Sequence, residues 1–304
     1  MCAERDISES HIKKIALMTS VPMSSVIAAP NVKSIYEVPI IYHQNGLDKE
    51  ILKFFKLKYQ NKINLDKWLE IRKAINNPQD EINIAIVGKY TGYPDSYKSL
   101  LEAINHAAIS LKIKANVIWI NARKNQQNLP EDIHAILVPG GFGIDGTEGK
   151  ITMIKLARLK KIPYLGICFG MQMMVIEYAR NVLDIKNATS RETSKEGEFI
   201  IDNMDEWIGN QGNKILKDNE NLGGTMRLGS YPCKIIKDSL AFKIYKQEII
   251  EERHRHRYEV NIKHRQNLEK KGLIFSGMSP NNKLPEIVEI KDHPFLLVYN
   301  FIQN

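Results

Sequence analysis

The sequence predicts an α/β fold of the doubly covered kind: a mostly parallel central sheet flanked by helices, with a β-rich C-terminal part. Three observations carry that prediction. From residue 81 onward, short apolar runs alternate with amphipathic stretches of helical period, the order that gives a parallel sheet with both faces covered. Residues 161–179 read as a buried strand, a sharp turn centred on Cys168 and a helix. Past residue 190 the helical period gives way to strands separated by turn residues.

Residues 1–80 do not read as an independent domain. Ile12, Ile15, Ala16 and Met18 suggest one short helix, followed by breakers at Pro22 and Pro30. Residues 34–42 read as extended, with Pro39 placing them at a sheet edge or in a loop. Asn45-Gly46 marks a turn, residues 47–55 a helix, and residues 65–74 a second helix that Asn76-Asn77-Pro78 ends. So few elements bury little surface alone, and such a piece docks on something else.

The rhythm then changes. Residues 82–88 form a buried strand ending in glycine, 96–111 a helix, 115–120 a strand and 134–138 another. The loop Pro139-Gly140-Gly141-Phe142-Gly143 follows, then a helix over 150–159 and the strand 162–167 that leads into Cys168. Loops at the carboxyl ends of such strands are where ligands bind. The glycine loop lacks the Gly-Lys-Ser/Thr ending of a phosphate-binding loop. Presenting backbone N–H groups to a developing oxyanion is its better use.

Gly166, Cys168 and Gly170 form a Gly-x-Cys-x-Gly pattern, the cysteine form of a nucleophile elbow. Behind it Met171, Met174, Val175, Tyr178, Ala179 and Val182 recur at helical spacing. A thiol at a helix N-terminus is expected to have its pKa lowered by the dipole. A structural cysteine packed between a strand and a core helix is the plainer alternative, and the glycine bracket decides for the nucleophile.

Beyond residue 190 the most charged motif is 252–261. If extended, it puts Arg253, Arg255 and Arg257 on one face and His254, His256 and Tyr258 on the other. A solvated strand with salt bridges accounts for such a charge run, and two histidines two residues apart are a weak metal signal. Residues 273–278, 286–290 and 293–301 read as three further strands.

The composition sets outer bounds. With 304 residues, 43% apolar and 26% charged, the chain has the make-up of a globular protein of about two units. A net charge of +8 spread over scattered lysines fits solubility or affinity for nucleotide-like anions better than a nucleic-acid footprint. Cys2, Cys168 and Cys233 are too few and too far apart for a disulfide framework or a zinc site, so no metal is expected and a reducing cytoplasm fits best. Neither a signal segment nor an apolar run of membrane-spanning length is found, so no membrane partner is expected.

The loop 139–143 and the elbow 163–172 resemble those of class I glutamine amidotransferases. Longer matches narrow the resemblance to the carboxyl-terminal half of the CTP synthase family: Val87-Gly-Lys-Tyr90, Pro94-Asp-Ser-Tyr-Lys98, residues 223–229 and residues 253–261. Ser34-Ile-Tyr-Glu-Val-Pro39 and Asn45-Gly-Leu-Asp48 are similar to the end of that family's synthetase domain. The resemblance implies a synthetase (amidoligase) remnant and linker over 1–80 and a glutamine amidotransferase domain over 81–304. It implies that Cys168 attacks the side-chain amide of L-glutamine, forming a thioester and releasing ammonia. Gly141 and Phe169 would offer oxyanion N–H groups, and Gly170, Met171 and Gln172 would complete the glutamine segment. Glu192 would meet the α-amino group, and Arg257 the α-carboxylate through its bidentate fork. In the family, ammonia passes to the synthetase domain, which uses ATP and Mg2+ to aminate UTP, and GTP activates the glutaminase step.

Three departures accompany the match. Nearly all of the synthetase domain is expected to be missing, so that this chain alone makes no CTP and takes a separate synthetase domain or chain as partner. Ile302 stands where the family's general-base histidine belongs, and Asn304 where its orienting glutamate belongs. General-base catalysis is worth about 10²–10⁴-fold, so turnover is expected to be severely impaired. His254 and His256, on the strand assigned to carboxylate binding, are not expected to replace it. Asp145 occupies a position expected to be basic, which weakens the GTP response. The alternative reading is a degenerate amidotransferase that binds glutamine or a partner without turnover. A γ-glutamyl hydrolase on the same elbow is disfavoured by the 1–80 segment and the 253–261 motif.

Overall fold

The structure is a computed structural model, and it describes residues 2–4, 7–58, 63–124, 126–203, 206–208, 214–216 and 226–302. It divides into two compact units, Met1–Glu81 with Asn105–Lys114, and Ile82–Ile104 with Ala115–Asn304.

The first unit pairs two short strands, β1 (Cys2–Ala3) and β2 (Ala29–Pro30), and carries α1 (Glu9–Thr19), α2 (Val38–Gln44), α3 (Leu47–Phe54) and α4 (Asp66–Asn76). Ser20 closes α1 in the left-handed conformation, its N–H returning to the Ala16 and Leu17 carbonyls. Residues 34–42 correct the sequence reading: they form a 3-10 turn over Ile35–Glu37 that runs into α2. Pro39 sits in the first turn of α2, where its missing N–H has no intrahelical partner to lose, so the residue taken as an edge-strand mark is a helix-start mark. Leu17 and Phe54 are both 80% exposed, and Phe55 is 64% exposed.

The second unit contains β3 (Glu81–Gly88), α5 (Lys98–Leu111, whose last turns count with the first unit), β4 (Lys114–Asn121), β5 (Ala135–Val138), α6 (Thr147–Lys160), β6 (Tyr164–Ile167) and α7 (Phe169–Asn181). Then come β7 (Ala188–Ser190), β8 (Glu198–Asn203), β9 (Glu206–Ile208), β10 (Lys214–Leu216), β11 (Arg227–Ile235), α8 (Leu240–Tyr245), β12 (Ile249–His256) and β13 (Tyr258–Val260). Finally come α9 (Arg265–Lys270), β14 (Leu273–Met278), β15 (Pro285–Ile290) and β16 (Leu296–Tyr299).

Nine strands make one mixed sheet in the order β12-β11-β14-β15-β16-β6-β5-β3-β4. The β16–β6, β6–β5 and β5–β3 pairs are parallel, and β12–β11, β11–β14, β14–β15 and β15–β16 are antiparallel. Strands β11, β12, β14, β15 and β16 of the β-rich C-terminal part thus extend the parallel sheet. β13, β8 and β7 form a small second sheet. Helix α7 is buried on every side from Phe169 to Ala179, as a helix apolar all round must be. Gly170 lets it start close to β5, since a Cβ there would lie 2.2 Å from the Val138 carbonyl oxygen.

Glu177 is the one carboxylate inside α7, with no exposed surface. Arg158 of α6 meets it in a two-pronged contact, Nε to Oε2 at 2.9 Å and Nη2 to Oε1 at 2.7 Å. Removing one partner of such a pair strands a buried charge and costs about 3–5 kcal/mol, whereas replacing both with apolar groups is often neutral. Arg158→Met should therefore lower the thermal midpoint by roughly 10 °C, at roughly 2–4 °C per kcal/mol for a protein of this size. Arg158→Met with Glu177→Met should recover most of that loss, read by calorimetry on the three proteins.

Candidate active site

The parallel pairing of β6 with β16 builds the site. Cys168 N–H donates to the Tyr299 carbonyl at 2.7 Å, which continues the ladder one residue past β6. The chain then turns at once into α7, and the Cys168 carbonyl accepts the N–H groups of Met171 and Gln172 at 3.0 and 3.2 Å. Cys168 holds φ 51° and ψ −102°, outside the ordinary regions for a residue with a Cβ. Such a conformation costs of order 1–3 kcal/mol and persists only where the surroundings enforce it.

One narrow cavity of about 60 Å³ gathers residues from five segments: Gly141, Phe142, Cys168, Gln172, Glu192, Met226, His256, Arg257 and Tyr258. Of the residues expected at the site, Gly141, Cys168, Gln172, Glu192 and Arg257 are brought together there. Phe169, Gly170 and Met171 do not line it. Their side chains, where present, belong to the buried start of α7, and Phe169 reaches the site through its N–H, which hydrogen-bonds to the Cys168 sulfur. Ile302 lies by a second cavity of about 260 Å³, shared with Gly140, Ile167 and residues of the 95–100 segment. Asn304 and residues 223–225 lie outside the described residues.

Each polar group is held by a nameable contact. Glu192 Oε1 accepts the Gly143 N–H at 2.8 Å, so the far end of the glycine loop holds the carboxylate in place. Burial pushes the Glu192 carboxyl up, with Gly143, Lys89 and Arg257 opposing. Gln172 donates from Nε2 to the Tyr258 carbonyl at 3.1 Å and keeps its Oε1 buried, with no partner among the described residues. Lys89 Nζ donates to the Phe142 carbonyl at 2.7 Å.

Two expectations are corrected. The thiol was expected to be acidic at its helix terminus; burial instead pushes Cys168 up to about 12, with the Phe169 N–H and Lys150 opposing and Glu259 and Glu192 adding to the rise. At 2% exposure, desolvation of the thiolate outweighs the dipole of the helix end. The arginine face of 252–261 also breaks. Arg253 and Arg255 are exposed and His254 and His256 buried, but the strand bends at Arg257, between β12 and β13, and turns that side chain into the cavity.

The buried histidines belong to a polar cluster that the charge pattern did not disclose. Arg227 Nη1 meets Glu286 at 2.6 Å and Glu259 at 3.5 Å, and Asn300 Nδ2 donates to Glu259. Burial pushes both carboxyls up, Glu259 well above its ordinary range, with Arg227 opposing. His254 Nδ1 and His256 Nε2 are hydrogen-bonded at 2.8 Å, and His256 Nδ1 faces Glu259 at 3.5 Å. Burial and the Arg227 charge push His256 down to about 3. Both ring nitrogens of His256 thus point into the cluster, and its basicity is low. The one signal for it in the sequence was the alternation that placed His254 and His256 on a common face. Phe142, Met226 and Tyr258 lie within the matching motifs without a mark of their own that sets them at the site, and Lys150 carries no local signal.

A strained cysteine elbow thus faces an acidic and a basic side chain, with a glycine loop alongside. The profile of the family described as "Glutamine amidotransferase class-I" matches residues 93–298, and that of "CTP synthase N-terminus" matches residues 1–57. The chain belongs to the class I glutamine amidotransferase family. Within that class it resembles CTP synthases. It is 49% identical to the CTP synthase of Pelagibacter ubique over 303 residues, 98% of this chain and 56% of that protein. With the CTP synthase of Brucella anthropi it shares 48% over 301 residues, 97% of this chain and 55% of that one. The glutaminase domain of Trypanosoma brucei CTPS, solved with bound acivicin, matches with a TM-score of 0.63 at 34% identity, over 73% of this chain and 85% of that chain. The chain spans about half the length of the curated relatives it matches. No helix among the described residues is long and apolar enough to cross a membrane.

The histidine cluster gives stability a readable pH dependence. An unfolded chain protonates His256 near pH 6.5, while the folded one resists until about 3, so the unfolded state binds more protons in between. The contribution is fully present above pH 6.5 and is lost as pH falls toward 3. His256→Asn should lose less stability between pH 7 and pH 5 than the unsubstituted protein, measured by urea unfolding at both values.

Proposed function

We propose that the chain is the glutamine-binding, ammonia-releasing part of a CTP synthase, with hydrolysis severely impaired. The observation that carries the binding half is the meeting of Cys168, Glu192 and Arg257 on one cavity beside the Gly141 loop. Glu192 takes the α-amino group of L-glutamine and Arg257 its α-carboxylate, which leaves the side-chain amide facing the sulfur. The buried Oε1 of Gln172 adds an acceptor for a substrate N–H. Attack forms a bond from sulfur to the amide carbon, and the carbonyl electrons move onto an oxygen held by the Gly141 and Phe169 N–H groups. Their return breaks the carbon–nitrogen bond, and the nitrogen takes the proton that the thiol gave up on attack and leaves as ammonia. Water then attacks the thioester, giving glutamate and the free thiol.

Both proton transfers need a base, and Ile302 supplies none. A thiol pushed up to about 12 stays almost wholly protonated at neutral pH. His256, pushed down to about 3 and turned toward His254 and Glu259, does not replace the missing imidazole. The same two facts support the alternative, a module that binds glutamine or a partner without turnover. The two readings differ only in residual rate.

Residues 1–80 are read as the end of a synthetase domain and its linker, and 81–304 as the amidotransferase domain. The exposed Leu17, Phe54 and Phe55 suit docking with the remainder of a synthetase domain, on this or another chain. ATP and Mg2+ would be used there to aminate UTP, and no cofactor is assigned to the present residues. GTP activation is expected to be weak, because Asp145 pairs with Arg123 at 2.6 Å and so offers an anionic group where a basic one is expected. Free Cys168 and Cys233 suit a reducing cytoplasm. Neither nucleic acid nor membrane is a proposed partner.

An ammonia-release assay with L-glutamine tests the reading. The protein should turn over at a barely measurable rate, and Ile302→His with Asn304→Glu should raise it by about 10²-fold or more. Cys168→Ala should abolish whatever rate remains. Unsubstituted turnover unchanged by the 302/304 pair would sink the impaired-base explanation, and failure of an electrophilic glutamine analogue to label Cys168 would sink the glutamine site.

A further inference from the structure

Lys150 lies in the first turns of α6 with 2% of its surface exposed. Its Nζ sits 4.6 Å from the centre of the Phe169 ring, and a Cβ built on Gly141 would lie 3.4 Å from it. The ammonium thus lies close to both Gly141 and Phe169, and the Phe169 N–H meets the Cys168 sulfur. Gly149 fixes this placement by letting α6 approach closely, because a Cβ there would fall 1.9 Å from the Ala122 carbonyl oxygen. No carboxylate pairs with Lys150 among the described residues.

Three influences oppose a positive charge at this position. Burial withdraws it from water, Lys89 repels it, and it stands at the positive end of a helix. The groups that favour it are Cys168 on the elbow, Asp145 just past the glycine loop and Glu192 beyond β7. Burial, the largest influence, and Lys89 outweigh these groups and bring the amine down to about 8, so it is charged at neutral pH and titrates just above it. The Phe169 ring face supplies part of the compensation. A thiolate at Cys168 adds to it.

We propose that Lys150 is a positioning residue for the nucleophile, the fixed positive charge beneath the Gly141 loop that stabilises the Cys168 thiolate and the oxyanion formed between Gly141 and Phe169. The inference rests on Cys168 being the nucleophile. It requires no turnover, since thiolate formation is read directly by alkylation.

The experiment follows iodoacetamide alkylation of Cys168 between pH 7 and pH 9, resolved by peptide mass spectrometry, in the full chain and in Lys150→Met and Lys150→Arg. A nearby charge at an effective dielectric constant of 20 shifts a thiol by about one pH unit, so Lys150→Met should react about tenfold more slowly at pH 7. The profiles differ in shape as well. In the unsubstituted protein the amine discharges near pH 8, and the stabilisation fades as alkali forms more thiolate. The rate should then rise about twentyfold from pH 7 to pH 9, against about a hundredfold in both variants, whose residue 150 keeps one charge state throughout. Lys150→Arg should also keep the fast rate at pH 7. A loss of packing alone would not move the inflection. Should Lys150→Met fail to fold, the inflection of the unsubstituted protein and its absence in Lys150→Arg still decide. A hundredfold rise in the unsubstituted protein, or equal pH 7 rates with Lys150→Met, overturns the role of Lys150. Absence of Cys168 alkylation at every pH overturns the nucleophile reading beneath it.

Discussion

The site depends on one backbone hydrogen bond, from the Cys168 N–H to the Tyr299 carbonyl. It extends the parallel β6–β16 ladder past the end of β6, so the turn into α7 begins with its first residue anchored. With its N–H fixed on one side and its carbonyl fixed by the first amides of α7, Cys168 has no relaxed conformation to adopt. That is the physical content of its φ of 51°. The same pairing brings residues 300–302 to the level of the sulfur, although they lie more than 130 positions away in the sequence. Proximity of Cys168 to residues 300–302 is thus a property of the sheet.

Burial is the second constraint, and it acts against charge everywhere in the site. It raises Cys168, Glu192, Glu259 and Glu286 and lowers Lys150 and His256. Every one of these shifts favours the neutral form, as desolvation must. The cluster around Arg227 tolerates this because its two carboxyls share one guanidinium and its two imidazoles stay neutral and bond to each other. The cavity side has less compensation. Its carboxylate is held by one N–H, and its thiol accepts one. An electrophile that brings its own charges, one of each sign, suits this arrangement better than a neutral one, since it would pair with Glu192 and Arg257 as it displaces water.

Local chemistry is what a sequence displays, and the elements with strong local chemistry were legible in it. The glycine bracket around Cys168 disclosed the elbow, and the apolar helical period disclosed α7, because both follow from residues within one turn of each other. Residues 34–42 were misread because a proline in a β-branched context has two uses, at a sheet edge or at a helix start, and only the neighbouring hydrogen bonds choose between them. Arg257 was placed on the wrong face because strict alternation cannot register a bend of one residue between β12 and β13. The acidity expected of Cys168 failed for a different reason. A helix terminus can be seen in a sequence, while the depth at which it is buried is set by β16 and by the Gly141 loop, which are remote in the chain. Lys150 was invisible on the same ground: its relation to Gly141 and Phe169 is wholly tertiary.

The arrangement separates binding from proton transfer. The residues that would hold glutamine come from the elbow, the glycine loop, the segment after β7 and the bend at Arg257. The position from which a base would act comes from the strand end after β16. At that position the backbone keeps its place whatever the side chain, because the Ile302 N–H donates to the Arg253 carbonyl at 2.8 Å and Asn300 N–H to the Glu286 carbonyl at 2.8 Å. The Ile302 side chain packs against the apolar cluster that includes Ile167 and Cys168, and it lines a cavity with Gly140. An alkyl group in place of an imidazole at residue 302 would remove a proton acceptor and leave the ladder and the elbow as they stand.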